Sequence, residues 1–171
     1  MSDPSASLLA CLPRLRRYAR ALLGERTGAD DLVQDTMERG WRKLASWRPG
    51  SDMRAWLFGI MHNLHVDQQR KPGLDTAPLD DSPEQALPAA PGSEPGAGLL
   101  LRDLESALQQ LPPEQRSVLL LVALEEMTYD EVALALDIPL GTVMSRLSRG
   151  RERLRLLMQG QPAPAALKVV K

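Results

Sequence analysis

The 171-residue chain carries 21 Lys/Arg against 22 Asp/Glu, a net charge of -1, and only one Phe, two Tyr and three Trp beside abundant Leu, Ala and Arg. That length holds one domain or two small ones, and that composition points to helices with leucine-built cores. The lone Cys11 excludes an internal disulfide and fits a reducing compartment. No apolar run reaches the roughly eighteen residues of a membrane helix, and Asp3 and Pro4 stand where a signal peptide has its basic start, so a cytoplasmic protein without membrane insertion is expected.

In chain order, Leu12 to Leu23 reads as a helix stopped by Gly24 and carrying Arg14, Arg16, Arg17 and Arg20. Thr27 is the expected cap of the next, with Asp30 and Asp31 placed in its first turn, where negative charge suits the helix dipole. Leu32, Val33, Thr36, Met37, Gly40 and Leu44 form its buried side, and Gln34, Asp35, Glu38 and Arg42 an opposite polar face. After Trp47-Arg48-Pro49-Gly50, Ser51 is a candidate cap for a third helix reaching Arg70, with Met53, Leu57, Ile60 and Leu64 on its core face. Residues 73–98 hold five Pro, four Gly and no sustained period. They read as a linker, whose span as a flexible chain is roughly 28 Å, so the flanking units can sit far apart on a long ligand.

Beyond it, Leu99 to Gln110 reads as one helix, and Pro112-Pro113 opens another running to about Leu124. Thr128 with Glu131 three residues on has the form of a capping box. Val132, Ala135 and Leu136 face inward before Asp137-Ile138-Pro139 breaks the helix. A second helix begins between Pro139 and Thr142. Its Val143, Leu147, Leu154 and Leu157 share one face, with Gly150 beneath them, and Arg146, Arg149 and Arg153 cluster beside it. Met144, Ser145 and Ser148 point outward on the first two turns. This is the pattern of a helix-turn-helix, whose second helix offers its first turns to base edges. All seven predicted helices have ordinary lengths and no segment argues for a strand.

The charge is segregated. Residues 1–72 hold twelve bases against eight acids, 73–98 five acids and no base, 99–140 two bases against eight acids, and 141–171 seven bases against one acid. Two basic regions parted by acidic ones suggest two surfaces for nucleic acid. In the first, Trp47 and Trp56 lie near Lys43, Arg48 and Arg54, the mixture that stacks on unpaired bases and tracks phosphates. Trp56 reads equally well as a core anchor, whereas Trp47 sits in a loop beside Pro and Gly. His62 and His65 are three apart, but with no third ligand evident they read as ordinary surface histidines, and no metal or cofactor is expected. Cys11 has no base placed by sequence, and no phosphate loop, hydrolase elbow or carboxylate pair appears. An enzyme is not expected.

Three segments, Asp30-Asp31-Leu32-Val33-Gln34-Asp35-Thr36, Met53-Arg54-Ala55-Trp56-Leu57-Phe58 and Gly141-Thr142-Val143-Met144-Ser145-Arg146-Leu147, resemble bacterial RNA polymerase sigma factors of the extracytoplasmic-function group, in that family's order and spacing over most of residues 8 to 158. The resemblance implies an all-α fold of two small helical domains, a region 2-like domain over 1–72 and a region 4-like helix-turn-helix domain over 99–158. The acidic linker lies between them and a tail occupies 159–171. It implies a factor that binds core RNA polymerase, recognises the minus-ten and minus-thirty-five promoter elements and assists opening. The helix matching Asp30 to Ala45 would dock on the clamp helices of the largest polymerase subunit, which assigns Gln34 and Asp35, with Glu38 and Arg42 on the same face, to polymerase binding. The segment matching Lys43 to Asn63 would capture an unpaired minus-ten base, which adds Ser51 and Asn63 to Lys43, Trp47, Arg48, Arg54 and Trp56. The helix matching Thr142 to Arg155 would read the minus-thirty-five element through Thr142, Met144, Ser145, Arg146, Ser148, Arg149 and Arg153. The linker would run into the polymerase's nucleic-acid channels, and an anti-sigma factor is the implied inhibitor. Asp137 stands where the family's turn usually has Gly, a position Asp tolerates better than most residues. Gly150 replaces a usual Ala, at about 1 kcal/mol of helix propensity. Two rival readings are a helix-turn-helix repressor or activator, and a sigma-like decoy that binds an anti-sigma factor.

Overall fold

A computed structural model describes residues 3–70 and 97–160. Nearly all of the expected linker, and the tail beyond Gly160, lie outside the described residues. Among the described residues the chain forms eight α-helices, α1 (Pro4–Ala10), α2 (Leu12–Leu23), α3 (Arg26–Arg42), α4 (Met53–Arg70), α5 (Ala97–Gln109), α6 (Pro113–Ala123), α7 (Tyr129–Leu136) and α8 (Leu140–Met158), with a 3-10 turn at Leu44–Ser46.

The additional helix is α1, where Asp3 accepts a hydrogen bond from the Ser5 amide at 3.0 Å and Pro4 occupies the first turn. α2 ends as expected, Gly24 turning left-handed at φ 70°. α3 begins before its expected cap. Glu25, extended, is the N-cap, Thr27 already lies inside the first turn, and the Glu25 carboxylate folds back over Gly28. Asp30 consequently lies two residues further into the helix than expected and pairs with Arg20 at 3.8 Å and Arg26 at 3.9 Å. The cap of α4 is likewise Asp52 rather than Ser51. Asp52 accepts from the Arg54 amide at 2.9 Å, while the Ser51 hydroxyl donates to the Arg48 carbonyl at 2.7 Å and stays in the preceding turn.

Met53, Leu57 and Ile60 of α4 are buried as their period predicts, but so are Phe58, Met61 and His65 on the neighbouring stripe. α4 is flanked by α3 on one side and by α7 on the other. Phe58 meets Tyr18 of α2 edge-on, ring centroids 5.0 Å apart. The histidines are not the surface residues that their spacing suggests: His65 is buried and His62 half-buried. Burial first, and then neighbouring Arg146 and His65 for His62 and Arg116 for His65, lowers both imidazole pKa values.

The C-terminal helices close on a buried cation. The Arg116 guanidinium donates to the carbonyls of Leu108, Gln109 and Leu111 at the end of α5 and of Leu22 at the end of α2, at 2.7 to 3.0 Å. One arginine thereby satisfies terminal carbonyls of two helices from different halves of the chain. The helix-turn-helix forms on its expected signals. Thr128 and Glu131 make the reciprocal capping box, Asp137 takes the left-handed conformation at φ 53°, ψ 52°, and α8 starts directly after Pro139.

The two halves are packed together. A continuous apolar cluster runs from Leu8, Leu15 and Leu22 through Leu57 and Phe58 to Val118, Leu121, Val132 and Leu147. α2 lies against α5 and α6, and α4 against α7. The backbones approach closely at Gly59, where an added Cβ would lie 2.8 Å from the Ala135 carbonyl oxygen.

Candidate nucleic-acid and protein interfaces

α8 is two-faced in its first turns. Val143, Leu147 and Gly150 are buried, and a Cβ on Gly150 would sit 3.4 Å from the Gln115 side chain, so α6 and α8 approach closely there. Met144, Ser145, Ser148 and Arg149 are exposed, Met144 by 52%. Thr142, Arg146 and Arg153 are half-buried at the edge of this surface. Further along, Arg155 is paired with Glu152 at 2.7 Å, and their hydrogen bond lowers the Glu152 pKa. The outward surface is therefore a methionine, two hydroxyls and an arginine held on a rigid helix. Such a surface can donate two parallel hydrogen bonds to guanine, bond other base edges through hydroxyls, and touch a thymine methyl.

All but one of the residues expected at the minus-ten element fall into two groups. Lys43, Arg48, Ser51 and Asn63 are exposed around the loop between α3 and α4 and on the outer side of α4. Trp47 and Trp56 are half-buried and pack against the core, Trp56 reaching over Gly40 and the Trp47 indole Nε1 withdrawn from water with no hydrogen bond. Arg54 differs from both groups. Its side chain is only 20% exposed, sits 3.4 Å from Asp52 and 3.6 Å from Glu131, and donates to the Glu125 carbonyl at 2.7 Å.

Gln34, Asp35, Glu38 and Arg42 are all exposed on α3, with Glu38 and Arg42 paired at 2.6 Å. Beside them α1, α2 and α3 enclose an open groove of about 690 Å³, bordered by Leu9, Val33, Gln34, Met37, Glu38 and Trp41. Leu9 and Trp41 are each 55% exposed. Sequence reasoning missed both, because Leu9 belongs to the helix it omitted and Trp41 lies off the apolar stripe of α3. A tryptophan one turn beyond Met37 was the available signal. Cys11 is half-buried, and burial followed by nearby Asp52 raises its thiol pKa.

The family model for the Sigma2 domain of PhyR matches residues 8–62, and that for Sigma-70, region 4 matches residues 101–154. The chain is similar to the ECF RNA polymerase sigma factor EcfG of Rhodopseudomonas palustris, 36% identical over 151 residues that cover 88% of this chain and 82% of that protein. It is similar to the ECF RNA polymerase sigma factor SigW of Bacillus subtilis at 30% identity, covering 78% and 77% of the two. Among solved structures it resembles the sigma factor RpoE of Bartonella quintana in complex with the anti-sigma factor NepR, at 35% identity and a TM-score of 0.74, over 89% of this chain and 94% of that one. It also resembles CnrH in complex with the cytosolic domain of CnrY, at 26% identity and a TM-score of 0.65, over 91% and 86%.

Proposed function

Because the chain belongs to the ECF RNA polymerase sigma factors, which initiate transcription and are not enzymes, we propose a division of labour among its surfaces. α8 enters the major groove of the minus-thirty-five element with Met144, Ser145, Ser148 and Arg149 towards the bases, and Thr142, Arg146 and Arg153 secure it at its edges. Lys43, Trp47, Arg48, Ser51, Arg54, Trp56 and Asn63 serve the minus-ten element, where an unpaired base stacks on an indole and cations hold the backbone. Gln34, Asp35, Glu38 and Arg42 dock on core polymerase, with the groove that ends at Trp41 extending that contact.

The observation that carries this reading is the build of α7 and α8. The capping box, the left-handed Asp137 and the Pro139 start fix the angle at which α8 stands. The side of α8 facing the core is apolar, and its opposite side is reserved for a ligand. RpoE was solved with the anti-sigma factor NepR, and CnrH with the cytosolic domain of CnrY. An anti-sigma protein is the regulatory partner proposed for this chain. The exposed apolar residues Leu99, Leu100 and Leu134 supply surface for one.

Run-off transcription with purified core polymerase on a library randomised at both promoter elements tests the reading. The wild-type chain is expected to select start sites, and Arg149→Ala to lose on the order of 1–3 kcal/mol of discrimination at one upstream base pair. Uniform weakening at every base pair would instead make Arg149 a phosphate contact. A failure of the wild type to direct initiation would remove the reading altogether.

A further inference from the structure

The N-terminal half grips the connection between α6 and α7. Leu124, Glu125 and Glu126 turn the chain there, with Glu126 in the left-handed region at φ 54°. The Glu125 side chain is wholly out of water. Arg17 of α2 donates to its Oε1 through Nε at 3.3 Å and Nη2 at 3.1 Å, and through Nη2 to the Leu124 carbonyl at 3.2 Å. Arg14 lies 4.0 Å from Oε2. From α4, Arg54 donates to the Glu125 backbone carbonyl at 2.7 Å.

Three arginines from one half of the chain therefore hold one buried carboxylate and two carbonyls from the other. A carboxylate removed from water is tolerated only while its cations remain, so the turn keeps this position only while the arginines hold it. Arg54 is the critical member. It is held on this turn, with Asp52 and Glu131 as its acidic neighbours, and so is not presented to a nucleic acid in this arrangement.

We propose that Arg14, Arg17 and Arg54 form a receptor for the Glu125 turn, a latch that keeps the two halves closed and withholds Arg54 from promoter DNA until the turn leaves. The clause on DNA rests on the minus-ten reading of Arg54; the latch itself does not. Release of the turn frees Arg54 and, because the turn leads directly into the helix-turn-helix, separates α7 and α8 from α4. Any partner that stabilises the open arrangement then gains a competent minus-ten surface by population shift.

Small-angle scattering on the full-length chain tests the latch. A compact chain of 171 residues has a radius of gyration of about 16 Å. Arg17→Glu, at a half-exposed position on α2, places a like charge against Glu125 and should raise the radius by several ångströms over the wild type. The exchanged pair Arg17→Glu with Glu125→Arg should return it towards the wild-type value, with helicity retained in both. An unchanged radius in Arg17→Glu, or no recovery in the exchanged pair, overturns the latch. For the DNA clause, binding of a mixed-sequence single-stranded oligonucleotide of about twelve nucleotides is followed by fluorescence anisotropy. Glu125→Gln should tighten binding on the order of threefold, and adding Arg54→Gln should cancel the gain. Expansion without tighter binding leaves the latch standing and overturns the minus-ten role of Arg54.

Discussion

Helices α4 and α8 are 18 and 19 residues long, and both carry part of the proposed promoter-binding machinery, yet they are built on opposite plans. α8 buries one stripe and leaves the other side of its first turns in water. α4 buries two adjoining stripes, one headed by Met53 and Leu57, the other holding Phe58, Met61 and His65. A helix buried along one side can present a row of ligand contacts. A helix clamped on two sides acts as a pillar, and its ligand contacts are confined to its ends, its remaining face and the loop before it, where Lys43, Arg48, Ser51 and Asn63 lie. Substitutions in the buried stripes of α4 should therefore appear as changes in stability, and those on the outer side of α8 as changes in binding.

The largest expected contrast is between Phe58→Ala and Met144→Ala. Phe58 is 1% exposed, and its truncation should cost about 3–5 kcal/mol in chemical denaturation. Met144, on the open side of α8, should change stability by less than about 0.5 kcal/mol while weakening upstream-element binding. Equal destabilisation by the two would break the comparison. Next comes Gly59→Ala, whose Cβ would meet the Ala135 backbone oxygen at 2.8 Å. The oxygen cannot swing aside as a side chain would, so a loss of about 1–3 kcal/mol is expected. Gly150→Ala on α8 sharpens the comparison because its nearest neighbour would be at 3.4 Å, close to ordinary contact. Helix propensity then favours alanine, and the variant should be more stable than wild type by up to about 1 kcal/mol, read from thermal melting.

The smallest effect is a pH dependence confined to α4. Burial, with the positive Arg116 and Arg146 nearby, lowers the pKa values of His65 and His62, so the folded chain keeps both imidazoles neutral where the unfolded chain takes up protons. Stability from this source is complete above the ordinary imidazole value of about 6.5 and is lost as pH falls through that value towards the lowered folded ones. Urea midpoints should decline between about pH 7.5 and about pH 5.5, and His65→Gln should flatten the decline. An unchanged slope in that variant would assign the dependence to other groups.

The helix-turn-helix was legible because each of its signals acts within a few residues. Thr128 and Glu131 satisfy each other's backbone amides, Asp137 takes the left-handed turn, and Pro139 marks where α8 can begin. The Gly24 stop was legible for the same reason. α1 was missed although Asp3-Pro4 carries a cap signal, because a seven-residue helix has too few turns to display a period. The start of α3 shifted because Thr27 is a plausible cap by residue type, while the extended backbone at Glu25 set the boundary. The adjacent acids Glu125 and Glu126 look alike in sequence, yet Glu125 is buried and Glu126 exposed. Nothing within a few residues of them says so, since the partner Arg17 lies 108 positions away.

Seven of the eight described helices, the break before α8 and the outward side of its first turns could be read from the chain alone, because propensity, capping and periodicity act over one or two turns. Which charges leave water was settled by packing between distant segments. Arg116 spans the ends of two helices, Glu125 sinks between arginines of the other half, and Arg54 is held on a carbonyl while Arg149 stays exposed. Desolvating a charge is tolerable only when partners distant in sequence converge on it, and that convergence is a property of packing.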